Sequence, residues 1–118
     1  MKKDLLFVLK PNFSDPAAGP HPFFCPPCAQ IQGFLGYSPA IRETLEIRAV
    51  DFPRPRLAVI AELGEANQGC PVLVLDPASP IPAEAAGQVK NANGKRFVSG
   101  AADITTYLGL RHGAAVPH

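Results

Sequence analysis

The sequence predicts an α/β protein in which helices flank a central four-stranded mixed sheet in the order βαβαββα, and three observations lead to it. Apolar runs of strand length recur at Leu5 to Leu9, Ile47 to Phe52 and Val72 to Leu75. Between and after them, apolar residues fall at helical spacing. Proline, glycine, asparagine and aspartate punctuate the joins, as residues that break regular structure do.

The first strand, Leu5 to Leu9, is continuously apolar and bounded by Lys10-Pro11, which suits a strand buried on both faces. Residues 11–22 are rich in Pro, Gly, Ser, Asn and Asp. They read as a long loop, and loops of that length in compact domains are often functional. After Cys25-Pro26-Pro27-Cys28, the residues Ile31, Phe34 and Leu35 mark the buried face of a helix that stops at Gly36. Ser38-Pro39 supplies an N-cap and first-turn proline for a short helix to Leu45, and Ile47 to Phe52 is the second strand. Leu57, Ile60 and Leu63, with Val59 beside them, predict a helix ending near Gly64.

Val72 to Leu75 is the third strand, bracketed by Pro71 and Pro77. The Pro- and Ala-rich segment 77–93 is weakly patterned and reads as an insertion. Asn93-Gly94 is a turn signal, and Lys95 to Ser99 a short, more polar edge strand. Ile104, Tyr107 and Leu108 give the buried face of a last helix. One domain over residues 1–112 follows, with 113–118 as a flexible tail.

With 118 residues, 47% of them hydrophobic, the chain can close one core but not two. The formal charge is +1 and the basic residues are spread out, so there is no electrostatic footprint for nucleic acid. The apolar run near the start is too short for a signal h-region or a membrane span, which predicts a cytoplasmic protein with no membrane partner. Three cysteines make no disulfide framework. A close pair in a reducing compartment reads instead as redox or metal chemistry.

The chemistry centres on Cys25 and Cys28. Two thiols three residues apart at a helix start can close a disulfide, and free amides and the helix dipole there favour a thiolate on the first. Cys25 is expected to be the exposed nucleophile and Cys28 the resolving thiol. Pro26 and Pro27 carry no N–H, so the nearest local donor to Cys25 is the Cys28 amide, and regular helix is expected to begin only at Pro27.

The CxxC after a buried strand, joined to Gln68-Gly69-Cys70-Pro71 leading into the third strand, resembles the thioredoxin-like superfamily over Asp4 to about Leu110. That resemblance implies a thioredoxin-like fold, a cis bond at Cys70-Pro71 opposite the dithiol, and a substrate-binding edge at Cys70 and Pro71. Phe97 to Ile104 is similar to the glutaredoxin glycine-aspartate motif, which implies that Gly100 and Asp103 contact glutathione as a co-substrate; Ser99 and Ala102 depart from it. Ile104 to Leu108 is similar to the N-terminal domain of glutathione transferases. The whole pattern also resembles a bacterial thioredoxin-like family described only as a domain of unknown function. No acid lies within Leu5 to Leu9, and Phe24 stands where thioredoxins usually have tryptophan.

The expected function is a thiol-disulfide oxidoreductase acting on a protein or small-molecule disulfide, with no resident cofactor or metal. The alternative is a non-catalytic binding or adaptor module that ligates a metal through Cys25, Cys28 and Cys70, with His21 as a fourth candidate. His21, in a Pro-rich loop, reads as solvated, and Arg54 and Arg56 as a solvent-facing helix start. Phe23-Phe24 fits either an exposed rim or a loop anchor.

Overall fold

The computed structural model describes residues 3–118. Five strands form one mixed sheet: β1 (Asp4–Leu9), β2 (Leu45–Val50), β3 (Val72–Val74), β4 (Lys90–Ala92) and β5 (Lys95–Ser99). Their spatial order is β2-β1-β3-β5-β4, with β1 parallel to β2 and every other pair antiparallel. Four helices complete the fold: α1 (Pro26–Tyr37), α2 (Pro39–Glu43), α3 (Leu57–Leu63) and α4 (Ala101–His112).

The alternation of strand side chains divides the core in two. Leu6 and Val8 of β1, with Leu73 and Val98, pack under α1, α2 and α4, against Ile31, Leu35, Ile41, Ile104 and Leu108. Leu5, Phe7, Val72, Val74 and Phe97 face the other way, onto Val59 and Leu63 of α3. Burial on both faces is why β1 is continuously apolar.

The sheet has five strands rather than four, because part of the segment expected as an insertion pairs. After a 3₁₀ turn at Ala83–Gln88, the chain forms β4, and Asn93-Gly94 turns it back into β5 with φ of 52° and 72°. Both central residues in the left-handed region are the geometry of a two-residue hairpin turn, which Asn-Gly favours. Polar Lys90-Asn91 could not announce a strand by hydrophobic pattern; an edge strand open to water needs only backbone pairing.

The short helix α2 ends at Glu43 rather than Leu45. The second strand runs two residues earlier than expected, over Leu45–Val50, because six residues register in parallel against β1 from Asp4↔Leu45 to Leu9↔Val50. In α3, Val59 and Leu63 are the buried i, i+4 pair, as two of the expected residues, while Leu57 is 72% exposed and lies off the buried face. The C-terminal residues fold back over α4. The Ala114 amide donates to the Gly109 carbonyl at 2.8 Å, and a Cβ at Gly109 would lie 2.8 Å from Val116 Cγ1 and collide with the Ala115 carbonyl.

A buried polar cluster ties the start of β1 to the end of α4. Asp4 Oδ1 accepts from the Asp76 amide at 2.7 Å and from the Ser79 hydroxyl at 2.6 Å, and its Oδ2 pairs with Arg111. Arg96 donates to the carbonyls of Asp76, Pro77 and Ser79, so the loop after β3 is held from both sides. Among the described residues, no helix is long and apolar enough to cross a membrane.

Candidate functional site

β1 ends where α1 begins its approach to the sheet, and the two cysteines meet at that corner. Cys25 is the N-cap of α1, extended at φ −80° and ψ 112°, and its Sγ accepts the Cys28 amide at 3.2 Å. Pro26 and Pro27 lack amides, so the Cys28 N–H is the first donor that α1 can aim at its own cap. The helix begins at Pro26, one residue earlier than expected. Cys25 therefore sits directly at the positive end of α1, not one step outside it.

Cys28 lies beneath, 4% exposed and packed into the core under α1 and α4. Its Sγ accepts the Leu9 amide at 3.4 Å. The sheet explains why that amide is free: the β1–β3 ladder ends at Phe7↔Val72, so Leu9 would face Cys70 if β3 began two residues sooner. An unpaired amide at a strand end needs another acceptor, and the buried thiol provides one.

Burial, and next the hydrogen bond with Cys25, push the Cys28 thiol from 9.0 up to about 12, while the Leu9 amide pulls it down. The folded protein thus keeps a proton that the unfolded chain releases above about pH 9, so stability is full below that value and declines as pH rises toward about 12. Urea midpoints of reduced protein at several alkaline pH values should fall more steeply for the wild type than for Cys28→Ala. Parallel slopes would mean that Cys28 is not held neutral.

Cys70 stands on the β3 side, half-buried, followed by Pro71 through a cis peptide bond. The Pro71 carbonyl accepts the Gly100 amide at 3.1 Å, which joins the start of β3 to the start of α4. Gly100, at φ 87°, is the N-cap residue of α4, and Asp103 lies in its first turn, partly exposed. Cys70, Pro71 and Gly100 are thus brought together. Burial raises the Cys70 thiol above its usual range, opposed by the charges of Arg56 and Arg54 and by a hydrogen bond from Arg56; the charge of Cys25 adds to the rise.

Arg56 is the residue that sequence reasoning misplaced. Arg54 is exposed as expected, but Arg56 is buried, stacked over the Phe52 ring with its guanidinium 5.8 Å from the centroid. Nε and Nη2 donate to the Phe52 carbonyl at 3.1 and 2.7 Å, and Nη1 to the Gln68 carbonyl at 2.9 Å. The Arg56 amide is taken by Gln68 Oε1 at 2.8 Å. Carbonyls thus replace water around the cation and fix the loop that leads to Cys70. The available signal was the proximity of Gln68 to Cys70 in sequence, but nothing local pairs it with Arg56.

Phe13 stacks on Phe52, centroids 4.3 Å apart, and Phe23 tilts against Phe13 at 6.3 Å. Phe13 and Phe23 also exchange backbone hydrogen bonds of 3.0 and 2.9 Å, so the long loop is pinned at both ends. Phe23 and Phe24 divide the two roles the sequence left open: Phe23 anchors the loop, and Phe24 is 61% exposed beside Cys25. His21 is exposed.

All three cysteines are free thiols. Among the described residues, no three His, Cys, Asp or Glu side chains converge on a point that would hold a metal ion. The arrangement can support thiol chemistry, with one accessible thiol on a helix cap, one buried thiol touching it through its amide, and a third beside a cationic loop. No curated protein and no solved structure matches the chain. The model of one family, described as a protein of unknown function (DUF3088), matches residues 3–116, and the chain belongs to that family.

Proposed function

We propose that the chain is a thioredoxin-like thiol-disulfide oxidoreductase of the cytoplasm, with Cys25 as nucleophile and Cys28 as resolving thiol. The observation that supports this most is the cap itself. Cys25 Sγ lies 3.2 Å from the Cys28 amide at the start of α1, where a developing thiolate is stabilised. The Pro71–Gly100 tie, which sets Cys70 beside the start of α4, fits the same reading.

In the reaction, the Cys25 thiolate attacks one sulfur of a substrate disulfide, and the bond breaks with its electron pair on the leaving sulfur, which takes up a proton. A mixed disulfide remains on Cys25. Cys28 then gives up its proton and attacks Cys25 Sγ, releasing the second substrate thiol and leaving the Cys25–Cys28 disulfide. Two electrons and two protons have passed to the substrate; a thiol reductant, such as glutathione near Gly100 and Asp103, would restore the dithiol.

The timing of the second attack follows from the causes acting on Cys28. Burial first, and then the hydrogen bond with Cys25, hold its proton in the reduced protein. A mixed disulfide on Cys25 alters that hydrogen bond and leaves the Leu9 amide in place, which favours loss of the Cys28 proton at the step where it acts. Insulin reduction and peptide mapping of oxidised protein test the proposal. Turnover with a Cys25–Cys28 disulfide is expected; a disulfide through Cys70, or no turnover, would overturn it.

A further inference from the structure

The dithiol has two flanks, because β1 lies between β2 and β3 in the sheet. On the β3 flank stand Cys70, Pro71 and Gly100, with the charges of Arg54 and Arg56 reaching Cys70. The β2 flank is different. A groove of about 440 Å³ opens there between α1, the end of β1 and Ala49 of β2, and Cys25 and Cys28 form part of its wall.

We propose that this groove binds the alkyl substituent of an uncharged, low-molecular-weight disulfide, an inference that rests on the thiol-disulfide reading of Cys25 and Cys28. Its other walls are mainly Val8, Leu9, Phe24, Ala29 and Ala49, and no lining side chain is a carboxylate, ammonium or guanidinium. Of its two carboxamides, Gln32 already accepts from Arg42 at 3.0 Å. A carboxylate entering this groove would lose water and find no cation among the lining side chains, which is costly, whereas methylenes gain from the same burial. The volume lies within the range of small-ligand sites. Phe24, exposed at the rim next to Cys25, gives the alkyl chain an apolar surface beside the sulfur to be attacked.

The step is stoichiometric with the reduced protein. Cys25 attacks one sulfur of the dialkyl disulfide and expels one alkanethiol; Cys28 attacks Cys25 Sγ and expels the other. The protein loses two thiols to form one disulfide, and the ligand gains two electrons and two protons.

The test follows single-turnover loss of protein thiols with diethyl, di-n-propyl and di-n-butyl disulfide. Each methylene added to the substituent should raise the second-order rate by roughly three- to fourfold until the groove is full. Ala49→Glu should flatten that series, and Ala29→Glu, on the exposed side of α1, repeats the test should the first variant fold poorly. A rate independent of chain length overturns the proposal. A second arm separates it from the redox reading: the doubly substituted Cys25→Ser, Cys28→Ser protein is titrated with di-n-propyl disulfide and its amide spectrum recorded. Saturable shifts at Leu9, Ala29 and Ala49 uphold the groove even if the wild-type thiols never react. Their absence overturns it even if they do.

Discussion

Cys25→Ser is expected to reduce disulfide turnover by on the order of a thousandfold or more, the scale of losses when a covalent nucleophile is removed. Cys28→Ser is expected to stop turnover at a different point, leaving protein that accumulates as a mixed disulfide. The asymmetry comes from placement. Cys25 Sγ is at the cap of α1, partly exposed, and reaches solvent and the apolar groove. Cys28 is only 4% exposed, with burial and Cys25 both holding its proton. It can act on a sulfur already attached to Cys25 but not on one arriving from outside. Mass spectra of peptides from both variants after exposure to a disulfide substrate distinguish the roles: an adduct on Cys25 in Cys28→Ser and none on Cys28 in Cys25→Ser. An adduct on Cys28 in the Cys25→Ser protein would reverse the assignment.

The second large effect concerns folding. Asp4→Ala is expected to destabilise the protein by about 3–5 kcal/mol, the range for removing one partner of a buried ion pair. The Asp4 side chain is 3% exposed and that of Arg111 14%, so little water could replace the lost carboxylate. The Asp76 amide and Ser79 hydroxyl would lose their acceptor in the same step. Asp4→Asn separates the contributions, since its carboxamide oxygen still accepts from both groups while the charge is gone. Its loss should fall between wild type and Asp4→Ala. Urea unfolding gives the ordering, and a cost for Asp4→Ala below about 1 kcal/mol would place the pair among weak surface bridges instead. The dithiol lies at the opposite end of β1 from Asp4, so folded Asp4→Asn protein should keep the alkylation rate of Cys25.

Local sequence determined much of this molecule. A continuous apolar run must be buried on both faces, so Leu5 to Leu9 specified a central strand. Ile31 with Leu35, and Ile104 with Tyr107 and Leu108, specified which sides of α1 and α4 meet the sheet. Asn93-Gly94 specified a tight turn through its tolerance of positive φ. The pairing of Cys25 with the Cys28 amide was also legible, because two prolines leave no earlier donor. These are short-range properties, written within a few residues of where they act.

What only the tertiary structure decided was long-range. A polar edge strand such as Lys90–Ala92 exists because β5 offers it unpaired backbone groups, and side-chain pattern carries no trace of that. The burial of Arg56 depends on carbonyls from Phe52 and Gln68 closing around it, and its charge looks solvent-facing until they do. The Leu9 amide reaches Cys28 because the β1–β3 ladder stops short, and the apolar groove exists because Ala49 leaves space beside α1. Backbone hydrogen bonds and voids are made by the meeting of segments distant in the chain, and neither has a side-chain signature within one segment for a sequence to show.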